Sequence, residues 1–171
     1  MSERHAGGGQ RDHVGGDAAP DGRDETPTER ADRNFDELLQ ELRVAQTGVQ
    51  ILFAFLLTVP FTQRFGQVTA EQRVVYLITL VVTALATSCL IAPVSQHRIL
   101  FQRHRKPVLV AVASRLAIAG LAFLLLSVTG SVYLVFDVVE GGWLAGVVGA
   151  AVGLWIGLLW FVQPLYLRRR R

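Results

Sequence analysis

The sequence predicts an all-helical membrane protein, a bundle of four transmembrane helices with both termini in the cytoplasm. Three observations predict this fold class: four long apolar segments, short connections between them, and basic residues concentrated in one loop and at the C-terminus. A helix crosses the hydrocarbon core of a bilayer with roughly 17 to 25 apolar residues, since each residue advances it by about 1.5 Å. The predicted spans are residues 44–61, 74–94, 108–136 and 143–167.

The charge of the chain divides it into two unlike parts. Up to Arg43 there are eleven acidic residues and six arginines, whereas from Val44 onward there are three acidic and eleven basic residues. Residues 1–33 are rich in glycine, proline and charge and show no apolar periodicity, so they predict a disordered acidic tail without a signal peptide. Residues 34–171 are predicted to form the membrane domain.

A short amphipathic helix is expected to lead into the first span. Asn34 can cap its N-terminus while Glu37, three residues later, reaches back toward the cap. The apolar residues that follow at helical spacing are Phe35, Leu38, Leu39 and Leu42. This face is expected to lie at the membrane interface.

Basic residues predict which side of the membrane each loop occupies. The turn before the fourth span contains Asp137 and Glu140 and no basic residue, whereas the loop after the second span is basic. The positive-inside rule then places this loop and both termini in the cytoplasm. Anionic lipid headgroups are the expected partner, and nucleic acid is not, because the basic loop belongs to no recognisable nucleic-acid-binding fold. The residues expected to contact headgroups are Arg98, Arg103, Arg105, Lys106, Arg168, Arg169, Arg170 and Arg171.

Polar residues within the apolar segments are the candidates for a functional cluster. Arg115 lies about 12 Å inside the third span at about 1.5 Å per residue, where a charge costs roughly 2.5 kcal/mol or more unless it is paired or snorkels. One hypothesis is that Arg115 snorkels to the cytoplasmic interface. The other is that it faces inward, toward polar groups on the first and fourth spans. These groups are Glu41, Gln46, Gln50 and Gln163.

Glycines in the fourth span and hydroxyls in the second indicate helix packing. Five glycines lie close to one ridge, namely Gly142, Gly146, Gly149, Gly153 and Gly157. Such residues let another helix approach closely, either within the bundle or in a homo-oligomer. Tyr76, Thr79, Thr83 and Thr87 share one face of the second span. Their hydroxyls can bond backbone carbonyls of their own helix or of a neighbour.

The sequence contains no pattern that predicts an enzyme, a cofactor site or a metal site. No nucleophile stands beside a base in a recognisable motif, and Cys89 is the single cysteine. The central part of each predicted span lacks Asp, Glu, Lys and His, the residues that usually bind a coupled ion. An ion-coupled transporter is therefore disfavoured, and no catalytic residue is predicted.

Three stretches resemble a known family of small membrane proteins. They are NFDELLQELRVAQTGVQILFAFLLTVPF, APVSQHRILFQRHRK and SRLAIAGLAFLLLSVTGSVYLVFDVV. The family is classed as a domain of unknown function, and its members are four-helix bacterial proteins that have at times been labelled sodium:proton antiporters. The resemblance covers about Asn34 to the end of the chain and implies a four-helix membrane fold located in a bacterial cytoplasmic membrane.

Two functions remain as hypotheses from the sequence. The first is a non-enzymatic membrane protein that organises or senses its bilayer, or scaffolds a partner, through the basic loop and the acidic tail. The second is a subunit of a small transporter or channel, of which a cation/proton antiporter is one kind. Flux of a substrate across proteoliposomes would separate them.

Overall fold

The computed structural model describes residues 27–100 and 106–169, and these residues are almost entirely helical. Two short 3-10 turns, Val59–Phe61 and Gln63–Gln67, connect the first two helices. A π-helical segment, Leu158–Val162, interrupts the last transmembrane helix. The α-helices are α1 (Pro27–Thr58), α2 (Ala70–Leu100), α3 (Lys106–Val139), α4 (Trp143–Gly157) and α5 (Gln163–Arg169).

Within the described residues, four helical stretches are long and apolar enough to cross a membrane. They are Asp36–Phe61, Ala70–Gln96, Ala111–Val139 and Trp143–Arg169. Each contains one of the predicted spans almost completely, so the predicted all-helical, four-span fold class is confirmed. The cytoplasmic location of the termini remains a prediction from loop charge.

Helix α3 is the centre of the bundle. It packs against α1, α2 and α4, and α1 also packs against α2. In the described residues α4 packs along α3 and along neither α1 nor α2. The bundle is therefore open on one side, where α1 and α4 both flank α3 without closing on each other.

The apolar core lies where α1, α2 and α3 meet. Its buried residues are Leu42, Val49, Ala86, Leu90, Ala117 and Leu124. Many large apolar side chains face away from the protein instead, including Phe55 (68% exposed) and Trp155 (66% exposed). Outward apolar side chains are what a lipid solvent favours, because lipid tails are as apolar as the core itself.

Several boundaries differ from the sequence prediction. Helix α1 begins at Pro27, a residue tolerated in a first helical turn because its missing N–H would have no helical partner there. Asn34 thus lies inside α1 rather than capping it, and residues 27–33 of the predicted disordered tail are helical. The rest of that tail, residues 1–26, lies outside the described residues. Helix α3 continues through Gly130 to Val139, beyond the predicted end of the third span.

The tight turn between α3 and α4 depends on two glycines. Gly141 and Gly142 have φ angles of 69° and 70°. This left-handed region is unfavourable for residues with a Cβ, whereas glycine enters it readily. The backbone N–H groups of Glu140 and Gly141 both donate to the carbonyl of Phe136, at 2.9 and 3.3 Å, and so close the end of α3.

Candidate functional site

An apolar groove lies on the open side of the bundle, between α1, α3 and the π-helical segment. Its volume is about 480 Å³, within the range of roughly 300 to 1,000 Å³ that is typical of ligand pockets. We call it the lateral groove. The residues that line it are Glu41, Val44, Ala45, Gly48, Leu52, Leu121, Leu124, Val128 and Trp160. The groove exists because α1 and α4 both pack on α3 and leave a gap between them.

One stripe of α1 forms a long wall of the lateral groove. Its residues recur every three to four positions from Glu41 to Leu52, which keeps them on one helical face. This stripe is about 16 Å long at about 1.5 Å per residue, close to half of the roughly 30 Å hydrocarbon core. A Cβ at Gly48 would meet no atom of the described residues within 4 Å, so the wall is open there. The groove thus has the length of one leaflet.

Trp160 enters the lateral groove from the π-helical segment. A π turn holds more residues than an α turn, so it changes which residues of the helix face a neighbour, and such turns are frequent at functional sites. The turn follows directly after Gly157, the last glycine that contacts α3. Trp160 is 40% exposed and supplies an aromatic wall opposite α1.

Three of the five glycines predicted to form a packing ridge hold α4 against α3. Ideal Cβ atoms at Gly149, Gly153 and Gly157 would lie 3.2, 3.0 and 3.6 Å from Tyr133, Thr129 and Leu125, respectively. These partners are four residues apart on α3, so the two helices match along a continuous ridge. Gly142 and Gly146 have open space instead, with no described atom within 4 Å of an ideal Cβ. The ridge therefore packs within the bundle, while the homo-oligomer remains a prediction.

The five polar residues predicted as an intramembrane cluster do not come together in the structure. Glu41 lines the lateral groove, and Gln50 and Gln163 are exposed. Arg115 is exposed as well, and among the described residues no hydrogen bond or ion pair joins it to the other four. The reason is rotation: Ala113 and Ala117 of α3 are buried, and a residue two positions from each lies on the opposite face of a helix.

Gln46 is the member of that set that bonds to another helix. Its Nε2 donates to the carbonyl of Leu90 on α2 at 2.7 Å. Pro93 lies inside α2, one turn after Leu90, and has no N–H to donate within the helix. A Cβ at Gly120 of α3 would lie 2.8 Å from the Leu90 side chain, so α3 also approaches Leu90 closely. Gln46 thus ties α1 to the part of α2 that proline perturbs.

A second tie between α1 and α2 forms at the other end of the bundle. The Tyr76 hydroxyl donates to the carbonyl of Leu56 at 2.8 Å. That carbonyl lies four residues before Pro60, which has no N–H to complete the helical bond. Phe65 meets Tyr76 edge to face, with ring centroids 5.1 Å apart, and Arg73 lies over Phe65 at 5.8 Å. The connecting loop is therefore packed onto the bundle.

A capping box at the start of α2 also reaches α3. The backbone N–H of Thr69 donates to Gln72 Oε1 at 3.0 Å, and the N–H of Gln72 donates to Thr69 Oγ1 at 3.2 Å. Such reciprocal bonds satisfy two helix-terminal donors. Gln72 Nε2 also donates to Asp137 Oδ2 at 3.0 Å. The spacing of Thr69 and Gln72 is a readable signal that sequence reasoning missed, whereas the contact with Asp137 has no local signal.

The hydroxyl face of α2 bonds mainly to its own helix. Thr79, Thr83 and Thr87 donate to the carbonyls four residues earlier, at 2.7 to 2.8 Å. Thr79 also lies against Gly130, where a Cβ would be 2.6 Å from Thr79 Oγ1. The hydroxyls are thereby satisfied inside α2, and their face serves helix packing.

The basic residues predicted to contact headgroups are only partly within the described chain. Arg168 and Arg169 are exposed at the end of α5. Arg98 lies near the end of α2 and Lys106 at the start of α3. Arg103, Arg105, Arg170 and Arg171 lie outside the described residues. Their contact with lipid therefore remains a prediction.

The chain was compared with models of protein families. The model of a family of unknown function, DUF6328, matches residues 24–164. The chain belongs to this family, which confirms the resemblance to an uncharacterised family. No curated protein and no solved structure matches the chain.

Proposed function

We propose that this member of the DUF6328 family is a non-enzymatic membrane protein that senses its bilayer by holding a lipid chain in the lateral groove. The observation that supports the proposal is the groove itself, with apolar walls along most of its length and Glu41 at one end. A lipid chain is the apolar ligand present at the highest concentration around a transmembrane helix. The groove length, about 16 Å from the rise per residue, suits a chain from one leaflet.

The proposed sensing follows from how α4 is attached. In the described chain α4 packs along α3 and not along α1, so α4 and α1 are joined through α3 and not directly to each other. A chain in the lateral groove would contact α1 on one side and Trp160 on the other. Occupation of the groove therefore links α4 to α1, and differences in chain length or shape alter that link. The two states are an α4 that is linked to α1 through the bound chain and an α4 that is not. A ligand shifts the equilibrium between them by its difference in affinity for the two.

The inner leaflet of a bacterial cytoplasmic membrane is the proposed source of the chain. Glu41 lies nearer the N-terminal end of the first membrane-spanning stretch, Asp36–Phe61, and loop charge predicts that this end is cytoplasmic. The exposed Arg168 and Arg169 at the same predicted side would contact anionic headgroups. Headgroup contact thereby holds the protein at the depth where chains enter the groove.

Tryptophan quenching in nanodiscs tests the proposal. One protein keeps only Trp160, through Trp143→Phe and Trp155→Phe, and a second keeps only Trp155. Trp155 is 66% exposed and does not line the lateral groove, so its quenching reports chains in the surrounding bilayer. Nanodiscs contain phospholipid with bromine atoms on its chains. If exposure alone decided quenching, Trp160 (40% exposed) would be quenched less than Trp155 (66% exposed). We expect Trp160 to be quenched more strongly than this ratio of exposures gives. Quenching of Trp160 that only matches its lower exposure would contradict a held chain.

A flux assay separates this function from the transporter alternative. Proteoliposomes loaded with a sodium- or pH-sensitive dye should show the same leak with the protein as without it. Saturable, protein-dependent flux of sodium ions or protons would replace bilayer sensing with transport.

A further inference from the structure

We propose that the lateral groove selects an amphiphile with a single apolar tail and an ammonium head, the head beside Glu41 and the tail along α1 toward Leu52. The inference rests on the proposed function and adds a ligand class to it. It assigns different tasks to the two ends of the groove. The Glu41 end distinguishes headgroups, and the remainder accepts any tail of suitable length.

Charge is the basis for the choice of head. Among the described residues that line the lateral groove, Glu41 is the one that carries a charge. A carboxylate beside an apolar surface attracts a cation and repels a sulfate or phosphate, and the attraction strengthens as the local dielectric falls. An ammonium head also leaves its tail pointing into the groove, since the charged end remains with the carboxylate. The favoured ligand is therefore cationic at its head and apolar elsewhere.

The other charged groups near this end whose side chains the structure describes do not line the groove. Glu37, one helical turn before Glu41, is exposed and pairs with Arg33 at 3.8 Å. Arg43 is exposed and lies two positions from Glu41, on the opposite side of α1. Arg115 lies on the face of α3 opposite the buried Ala113 and Ala117. The carboxylate of Glu41 thus sets the charge at the mouth of the groove.

The tail would occupy the space between α1 and the Trp160 side. Gly48 leaves this space open, because a Cβ there would meet no described atom within 4 Å. Leu124 and Val128 of α3 form its floor. These apolar contacts are the same for every ligand with the same tail, whatever its headgroup. A mutation at Glu41 can therefore change the choice of headgroup without changing the binding of the tail.

Three probes with the same brominated alkyl tail test the selection. They are an alkyltrimethylammonium, an alkyl sulfate and an uncharged alkyl glycoside, each added at low mole fraction to nanodiscs of zwitterionic lipid. The readout is Trp160 quenching divided by Trp155 quenching in the two single-tryptophan proteins, which removes differences in partition into the bilayer. We expect the cationic probe to bind about fivefold more tightly than the uncharged one, as an exposed ion pair of up to about 1 kcal/mol allows. The sulfate should bind most weakly.

Two substitutions identify the group that is responsible. Glu41→Gln should lower the affinity for the cationic probe to that for the uncharged probe. The affinity for the uncharged probe should not change. Glu37→Gln is the matched control, because it removes a carboxylate that lies one turn away and does not line the groove. It should leave the affinities for all three probes unchanged.

The outcomes distinguish the inference from the proposed function. Equal enrichment of all three probes at Trp160 would overturn the selection of an ammonium head. The proposed function, that the groove holds a lipid chain, would remain. An equal effect of Glu37→Gln and Glu41→Gln would assign the preference to general surface charge and would also overturn it. Enrichment of no probe at Trp160 would remove the proposed function together with the inference.

Discussion

The two sides of α3 differ in how closely their neighbours approach. On the α2 side, Gly120 and Gly130 admit Leu90 and Thr79 to distances at which a Cβ would not fit. On the other side, the described parts of α1 and α4 do not contact each other and leave the lateral groove, about 480 Å³ in volume. Small residues that face a partner give close packing, whereas the open position of Gly48 helps to form a cavity. The same residue type therefore has opposite roles according to the face on which it lies.

The largest expected effect comes from enlarging Gly130, at the close α2–α3 contact. A leucine there would place its Cβ 2.6 Å from Thr79 Oγ1, and the two backbones would have to separate. We expect Gly130→Leu to lower the free energy of unfolding by about 1 to 3 kcal/mol, the usual range for overpacking. Gly146→Leu is the control, because its position is open. Thermal unfolding in detergent that affects both variants equally would argue against the difference between the two sides.

A smaller effect is expected at Gln46, which joins α1 to α2. Gln46→Leu removes the hydrogen bond to the Leu90 carbonyl. Hydrogen bonds between transmembrane helices contribute about 0.6 kcal/mol on average and up to about 1.7 kcal/mol, so the loss should fall in this range. Gln50→Leu, at an exposed position of the same helix, should leave stability unchanged or raise it. A loss at position 50 as large as at position 46 would show that general polarity, and not this bond, is responsible.

Gln72 and Asp137 should show coupling at the far end of the α2–α3 contact. Gln72→Ala removes the bond from the Thr69 N–H to Gln72 Oε1 and the bond to Asp137. The backbone N–H of residue 72 keeps its bond to Thr69 Oγ1. We expect the free energy of unfolding to fall by about 0.5 to 1.5 kcal/mol from the lost capping bond alone, the usual net contribution of one hydrogen bond. A double-mutant cycle with Asp137→Ala should give an interaction energy of roughly 0.5 kcal/mol or more, since bonded neighbours are not additive. Additive losses would mean that the bond contributes nothing to stability.

Arg115 is expected to show the smallest effect. It is exposed on α3, and the structure does not place it against Glu41. Arg115→Leu should therefore leave the melting temperature in detergent unchanged or raise it, because a guanidinium near lipid has an insertion cost that leucine lacks. A clear decrease, coupled to Glu41→Gln in a double-mutant cycle, would restore the inward cluster.

The spans and the glycine ridge could be predicted from the sequence because each follows from local spacing. Apolar length alone indicates a transmembrane helix, and Gly149, Gly153 and Gly157 pack as their four-residue spacing indicates. The direction of Arg115 could not be predicted in this way. Helix α3 is apolar on nearly all sides, so its pattern does not indicate which face is buried, and a rotation of one residue moves a side chain by about 100°.

The lateral groove could not be predicted either, because it depends on three separate parts of the chain. The sequence indicates Glu41 as a partner for Arg115 from its position at the start of the first span, and the structure places it in the wall of the groove instead. Trp160 carried no signal, since a π turn has no simple sequence pattern and tryptophan is common in transmembrane helices. The capping pair of Thr69 and Gln72 did have a local pattern. The contacts of Gln46 and Asp137 with other helices depend on packing that no local spacing specifies.

Filling the groove at Gly48 tests the central claim most directly. Gly48→Leu should insert a side chain into the lateral groove, because its Cβ would meet no described atom within 4 Å and Gly48 lines the groove. In single-tryptophan proteins in nanodiscs of brominated phospholipid, we predict that Gly48→Leu reduces the quenching of Trp160 and leaves that of Trp155 unchanged. Helicity and melting temperature should be preserved, which would show that the fold is intact. Unchanged quenching of Trp160 in a folded Gly48→Leu protein would contradict the proposal that a lipid chain occupies the groove.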